Sequence, residues 1–350
     1  MVAYTLWNKT VNIEIPKDTF PSPAEIEEMD AFLPNVEHCW FESKVNGKQL
    51  HYRKMTPPSG DKPRAVVVFA HGIHADGGKS FVMRDGRKLS IALLREILVV
   101  EKGYALYTLD AQGHGFSEGH RFYVPSYELN RNDLVDFAKY ISDQPMNQNV
   151  PFFLSGESYG GNLCLHACAV MEQDASKRPA NYKGQVLLAP AVIGDVPPAA
   201  VVFVLRRLLA PFFPRWTPFF MPNPVSADRI WRDEEAREAN LDPERLKWGL
   251  TNGGSPFQLG TGVSLLLATL DVRSKAIPKL ATPFCVIHGK DDAAVLPEGT
   301  VYLDEHAVNV KKEDRKIHLL PECYHDVLGD PLAPKAMELM VEFMEDRLQN

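Results

Sequence analysis

At 350 residues, with 45% hydrophobic and 24% charged side chains, the chain is ordinary for a globular fold and long enough for one large domain carrying an insertion. A formal net charge of −7, without any Lys/Arg run, excludes a nucleic-acid footprint. No apolar stretch reaches the roughly 18–20 uncharged residues a membrane span needs; the nearest, Pro197 to Phe213, is broken by Arg206-Arg207.

Five scattered cysteines, an odd number, argue against a disulfide framework and for a reducing compartment. The N-terminus lacks a signal-peptide pattern and the C-terminus a peroxisomal address. The expected location is the cytoplasm. Cys164 and Cys168 stand four apart with no partners at zinc spacing, so they read as buried small side chains.

Residues 1 to 35 read as an irregular leader with a short acidic helix near Pro23–Phe32. A hairpin follows, CWFESKV and KQLHYRKM about Asn46-Gly47, because Asn-Gly readily takes the positive φ of a tight turn. Ala65 to Ala70 is an unbroken apolar run, the mark of a strand covered on both faces. A helix is expected over Gly86–Val100 and a strand over Tyr104–Leu109. Helix Tyr127–Ser142 and strand Pro151–Ser155 come next, then helix Tyr159–Met171 and strand Gln185–Leu188. Beyond residue 271 come strand Pro283–His288, helix Pro297–Ala307, strand Lys316–Leu320 and helix Pro334–Leu348. Such alternation predicts an α/β fold with a mostly parallel sheet and helices on both faces, the leading hairpin adding antiparallel strands at one edge.

Residues 195 to 271 interrupt the alternation. Their first half is rich in proline and aromatics and their second half is charged. An insertion at a strand's carboxyl end sits where open α/β sheets bind ligands, so this segment reads as a helical cap. The core is then 36–194 with 272–350.

The chemistry is read from Gly156-Glu157-Ser158-Tyr159-Gly160, which joins an apolar strand to a helix. A serine hydroxyl is a weak nucleophile unless held against a base and beside hydrogen-bond donors. A sharp strand-to-helix turn does both, and the helix start aims free N–H groups at developing negative charge. Ser158 is the candidate nucleophile. Of the histidines, His51, His166, His306 and His318 fall within or at the ends of predicted elements. His325 lies in the loop PECYHDVLGDP at the same sheet edge as Ser158 and is the candidate base. The acid that orients it comes from Asp291-Asp292 after strand 283–288; Asp292 is preferred, Asp291 solvates the loop, and Asp195 is a weaker candidate. The order serine, aspartate, histidine is that of α/β-hydrolases. Two backbone N–H groups, of Tyr159 and of Ile73 after the first central strand, are expected to hold the oxyanion. The chemistry calls for no metal and no organic cofactor.

With these residues in place, the chain resembles the α/β-hydrolase family of monoacylglycerol lipases, lysophospholipases and plant caffeoyl-shikimate esterases, often labelled serine aminopeptidase S33. The matching pieces are AHGIHAD, GYALYTLDAQGHGFSEGHRFYVPSY, FFLSGESYGG, GQVLLAP, PFCVIHGKDDAAV and PECYHDVL, in family order. The resemblance implies Asp292 as acid, His325 as base, and Ile73 and Tyr159 as oxyanion donors. Tyr159 stands where the family usually has methionine, and the loop after His74 is longer than usual.

The cap's Phe203, Leu208, Phe212, Phe213 and Trp216, with Phe219 and Phe220, are expected to line an acyl site and to offer a face that meets a membrane surface transiently. The expected reaction is hydrolysis of a monoacylglycerol or lysolipid ester. The alternatives are an esterase for small hydroxycinnamoyl esters and a non-catalytic ligand-binding protein; a peptidase is disfavoured, because apart from Glu234-Glu235 the cap offers no acidic pair to hold an amino terminus. Oligomeric state is left open.

Overall fold

The computed structural model describes residues 14–15, 24, 33–58, 60–194, 197–218, 223–241 and 256–349. The expected leader helix, Asp195, Phe219 and Phe220 lie outside these residues, apart from Ala24.

Eight strands form the central sheet: β1 (Glu37–Glu42), β2 (Gln49–Met55), β3 (Val66–Ala70), β4 (Ala105–Leu109), β5 (Phe152–Glu157), β6 (Tyr182–Leu188), β7 (Phe284–Gly289) and β8 (Arg315–Leu320). Their spatial order is β1-β2-β4-β3-β5-β6-β7-β8. The pairs from β4 to β8 are parallel, whereas β1–β2 and β2–β4 are antiparallel. The fold is therefore α/β with a mostly parallel sheet.

The unbroken apolar strands explain why both faces are covered. Successive side chains point to opposite faces, so Val66, Val68 and Ala70 of β3 enter one core while Val67 and Phe69 enter the other. β5 and β7 divide in the same way: Phe152, Leu154, Phe284 and Val286 against Phe153, Cys285 and Ile287. Helix α1 runs from Ile91 to Leu94 and continues as a wider turn to Glu101; it packs on one face with α7 (Ala333–Leu348). α2 (Tyr127–Ser142) and α3 (Tyr159–Gln173) cover the other.

Two local expectations change. The helix after β3 begins at Ile91, not Gly86, because Ser80–Val82 pairs with Lys88–Ser90 in a small hairpin. Gly86, at φ 86°, turns that hairpin. The Asn46-Gly47 turn is also longer than two residues: Ser43 to Lys48 closes it, with Gly47 at φ 73°.

Between β6 and β7 lie α4 (Ala199–Val204, continuing to Leu209), two short helices at Ala227–Ile230 and Glu234–Asn240, α5 (Leu259–Asp271) and the turns after it. α6 (Glu298–His306) follows β7. Ala268, Val272 and Ala276 already belong to the core beneath α3, so the end of α5 is anchored. No described helix is long and apolar enough to cross a membrane.

Candidate active site

Ser158 sits between β5 and α3 with φ 55° and ψ −117°, a backbone geometry that costs a non-glycine residue about 1–3 kcal/mol. Close packing sustains it. A Cβ on Gly160 would stand 2.0 Å from the carbonyl oxygen of Ala70, and one on Gly156 would stand 2.6 Å from the backbone of Gly160. Only glycines let the end of β3 press against the start of α3. That contact carries the His71–Ile73 loop across the serine. A Cβ on Gly72 would be 3.4 Å from the Cβ of Ser158.

A second close approach assembles the other half. A Cβ on Gly289, the last residue of β7, would lie 2.2 Å from the carbonyl of Tyr324. The loop after β8 is thereby laid over the loop after β7. As a result, the Ser158 hydroxyl donates to His325 Nε2 at 2.9 Å, and His325 Nδ1–H donates to Asp292 Oδ2 at 2.6 Å. All three side chains are buried.

Asp292 is held by more than the imidazole. Its Oδ1 accepts the N–H groups of Ala294 and Val295, both at 2.8 Å, and its Oδ2 also accepts His288 Nε2–H at 3.0 Å. Burial alone would raise its pKa. The charge on His325 and the hydrogen bonds from His288 and His325 outweigh burial and hold the carboxyl well below the usual range. For His325, burial opposes the charged form, but the charge and hydrogen bond of Asp292 win and the pKa rises. Asp291, exposed, takes no part; its N–H donates to the carbonyl of Cys323. Chemically, this relay can draw a proton from the hydroxyl while the carboxylate steadies the imidazolium.

Tyr159 opens α3, so its N–H is one of those a helix leaves without an intrahelical partner. Its ring is buried, with the phenol accepting from Asn130 at 3.4 Å. Ile73 and Tyr159 line, with Ser158, a cavity of about 400 Å³. That size suits a small-molecule site. Its walls are Val202 and Leu205 of α4, Leu265 and Leu266 of α5, and the Ile193 and Val295 loops. Among the described residues, no carboxylate lines it.

The cap residues singled out from sequence stand elsewhere. Phe203, Leu208, Phe212 and Phe213 are exposed, Phe212 at 75%, and Trp216 is half-buried with its ring beside Phe213. The reason is helical phase: Val202, Leu205 and Leu209 form the inward stripe of α4, and its largest apolar side chains fall on the opposite side. Glu234 and Glu235 are likewise engaged away from the cavity, by Arg237 and Arg84.

Sequence reasoning missed His288, whose Nδ1 accepts from the Thr300 hydroxyl at 2.7 Å while Nε2–H serves Asp292. A histidine ending a wholly buried strand was the available signal. It also passed over Glu157 and Asp326, buried acids flanking Ser158 and His325 in the chain.

Comparison with known proteins places this geometry in context. The family profile described as serine aminopeptidase, S33, matches residues 61–332. The chain is 28% identical over 314 residues to human monoglyceride lipase, covering 89% of each protein. It is 27% identical over 299 residues to caffeoylshikimate esterase of Arabidopsis thaliana, covering 83% of this chain and 79% of that one. A soluble variant of monoglyceride lipase from Saccharomyces cerevisiae, solved with a substrate analog, shares the fold with a TM-score of 0.64 at 20% identity, covering 90% of this chain and 94% of that one.

Proposed function

The chain belongs to the α/β-hydrolase family described as serine aminopeptidase, S33, and we propose that it is a serine hydrolase cleaving the carboxylic ester of a monoacylglycerol-like lipid. The observation that carries this reading is the Ser158–His325–Asp292 relay opening into an apolar cavity.

In this reading Ser158 Oγ attacks the ester carbonyl as His325 Nε2 takes its proton. The negative oxygen of the tetrahedral intermediate turns to the N–H groups of Tyr159 and Ile73, each such donor typically contributing about 100- to 1000-fold in rate. The C–O bond to the alcohol breaks, His325 returns the proton to the leaving oxygen, and the acyl group stays on Ser158. Water, deprotonated by His325, attacks that acyl-enzyme, releasing the carboxylic acid and restoring the hydroxyl. Burying an acyl chain is worth about 0.8 kcal/mol per CH₂, so a cavity walled by valine, leucine and isoleucine favours long chains.

Two further features fit a lipid substrate. Phe203, Leu208, Phe212 and Phe213 face outward with exposed Arg206 and Arg207 beside them, a pattern suited to resting on a membrane surface. The protein in this reading works in the cytoplasm at the membrane's edge; its five cysteines, all free thiols, fit a reducing compartment. Against the peptidase reading, no carboxylate lines the cavity, among the described residues, to hold an amino terminus.

The similarity to caffeoylshikimate esterase supports a second reading, a small aromatic ester as substrate. A hydrolysis panel decides. Monoolein should be cleaved faster than butyryl and caffeoyl esters, and a fluorophosphonate probe should label Ser158. Faster turnover of caffeoyl esters favours the second reading, and no labelling of Ser158 favours a ligand-binding protein.

A further inference from the structure

Glu157 precedes Ser158, and Asp326 follows His325. Both are buried, close enough for the charge of each to act on the other. Two acids in one dry pocket are costly unless one carries a proton and the other is paired. Asp326 is the paired one. Lys79 Nζ and Trp231 Nε1 both donate to its Oδ2 at 2.6 Å, and the N–H of Gly329 donates to Oδ1 at 2.8 Å. Its own N–H donates to the carbonyl of Ile230 at 3.1 Å, and Lys79 stands 5.7 Å from the centre of the Trp231 ring. Burial and then the charge of Asp326 raise the pKa of Glu157, Lys79 opposing. Burial would raise Asp326 too, but Lys79, Trp231 and Glu157 lower it. Of the two, Asp326 is the acid whose charge the surrounding contacts favour.

These contacts join three segments at Asp326: Lys79 from the loop after β3, Trp231 and Ile230 from the helical insertion, and the histidine loop itself, with the buried Glu157 at the end of β5 nearby. We propose that Asp326 is a positioning residue for His325: clamped by Lys79 and Trp231, it fixes the loop carrying the imidazole and ties its alignment to the seating of the insertion over the cavity. This rests on the reading of His325 as base. The charged and titratable groups facing His325 and Asp326 are Asp292 from the loop after β7, Glu157 from β5, Lys79 from the loop after β3, and the Cys323 thiol from the histidine loop.

The test is steady-state kinetics on soluble p-nitrophenyl butyrate across pH, for wild type, Trp231→Phe, Lys79→Met, Asp326→Asn and the Trp231→Phe/Asp326→Asn double variant. Loss of alignment should lower kcat by about 10- to 100-fold, as small misplacements do, while KM changes less than about twofold. Asp326→Asn should also move the acid limb of kcat/KM to lower pH, because His325 loses a negative neighbour. The double variant should be no slower than Asp326→Asn. An unmoved limb with kcat near wild type in Asp326→Asn overturns the proposal. Should that variant fail to fold, unchanged kcat in both Trp231→Phe and Lys79→Met does so. If wild type itself neither turns over nor takes a fluorophosphonate at Ser158, the catalytic reading has failed; if it does both while the variants match it, only this inference has.

Discussion

The rim of the sheet and the helices laid over it meet opposite demands. At the rim, ionisable groups are buried and partnered: Asp292 accepts four hydrogen bonds and Asp326 accepts three. On the first half of the insertion, by contrast, large apolar groups stand in solvent beside the exposed Arg206 and Arg207. Proton transfer needs atoms held to a fraction of an ångström, which a saturated polar network in a dry setting provides. Taking up a lipid needs apolar surface not already spent on the fold. One region gives up adaptability for alignment, and the other does the reverse.

Breaking the rim should have the largest effects. Ser158→Ala and His325→Ala should each lower kcat by about 10⁶-fold, and the double variant should be no worse than either alone, because such residues act as a unit; ester hydrolysis by purified variants checks this. Asp292→Asn should cost about 10⁴-fold, whereas Asp291→Asn, exposed and outside the relay, should stay within a few-fold of wild type. The reverse order would assign the acid to residue 291.

Filling the cavity tests the other region. Val202→Trp should slow monoolein hydrolysis about 10- to 100-fold relative to butyryl ester, the scale of pocket discrimination. Equal losses on both esters would detach the cavity from acyl binding. The pH profile then sharpens the electrostatics. His325 must be neutral to accept a proton, and its pKa lies above the ordinary value. Activity should therefore fall about tenfold per pH unit below a midpoint above about 6.5. The smallest effect belongs to the exposed face. Phe212→Ser with Phe213→Ser should leave kcat/KM on soluble butyryl ester unchanged and weaken co-sedimentation with anionic lipid vesicles several-fold.

The two regions also differ in how far they could be read from the chain. The rim was legible because its parts are local. A continuous apolar run such as Val66–Ala70 announces a strand buried on both faces, and Gly156-x-Ser158-x-Gly160 announces a turn so tight that a Cβ would meet backbone. The hairpin at Ser80–Ser90 was not legible in the same way, since Leu89 to Val100 suits a helix and only Gly86, in a left-handed turn, marks the break. Asp292 is preferred to Asp291 by its place in the family's pattern, and in the fold burial separates the two. In α4 the sequence shows many large apolar residues, but which stripe faces the cavity depends on how the helix sits over the sheet. Val202 and Leu205 line it while Phe203 and Leu208 do not.

By itself, then, the sequence determined the strand–helix alternation, the family and the residues able to act as nucleophile, base and acid, because each is written in spacing of at most a few residues. Tertiary structure alone decided which helix face closes the cavity, and that Lys79, Glu157, Trp231 and Asp326 share one buried knot. Those contacts join residues as far as 247 positions apart, and no local pattern encodes a meeting set by how loops cross the end of a folded sheet.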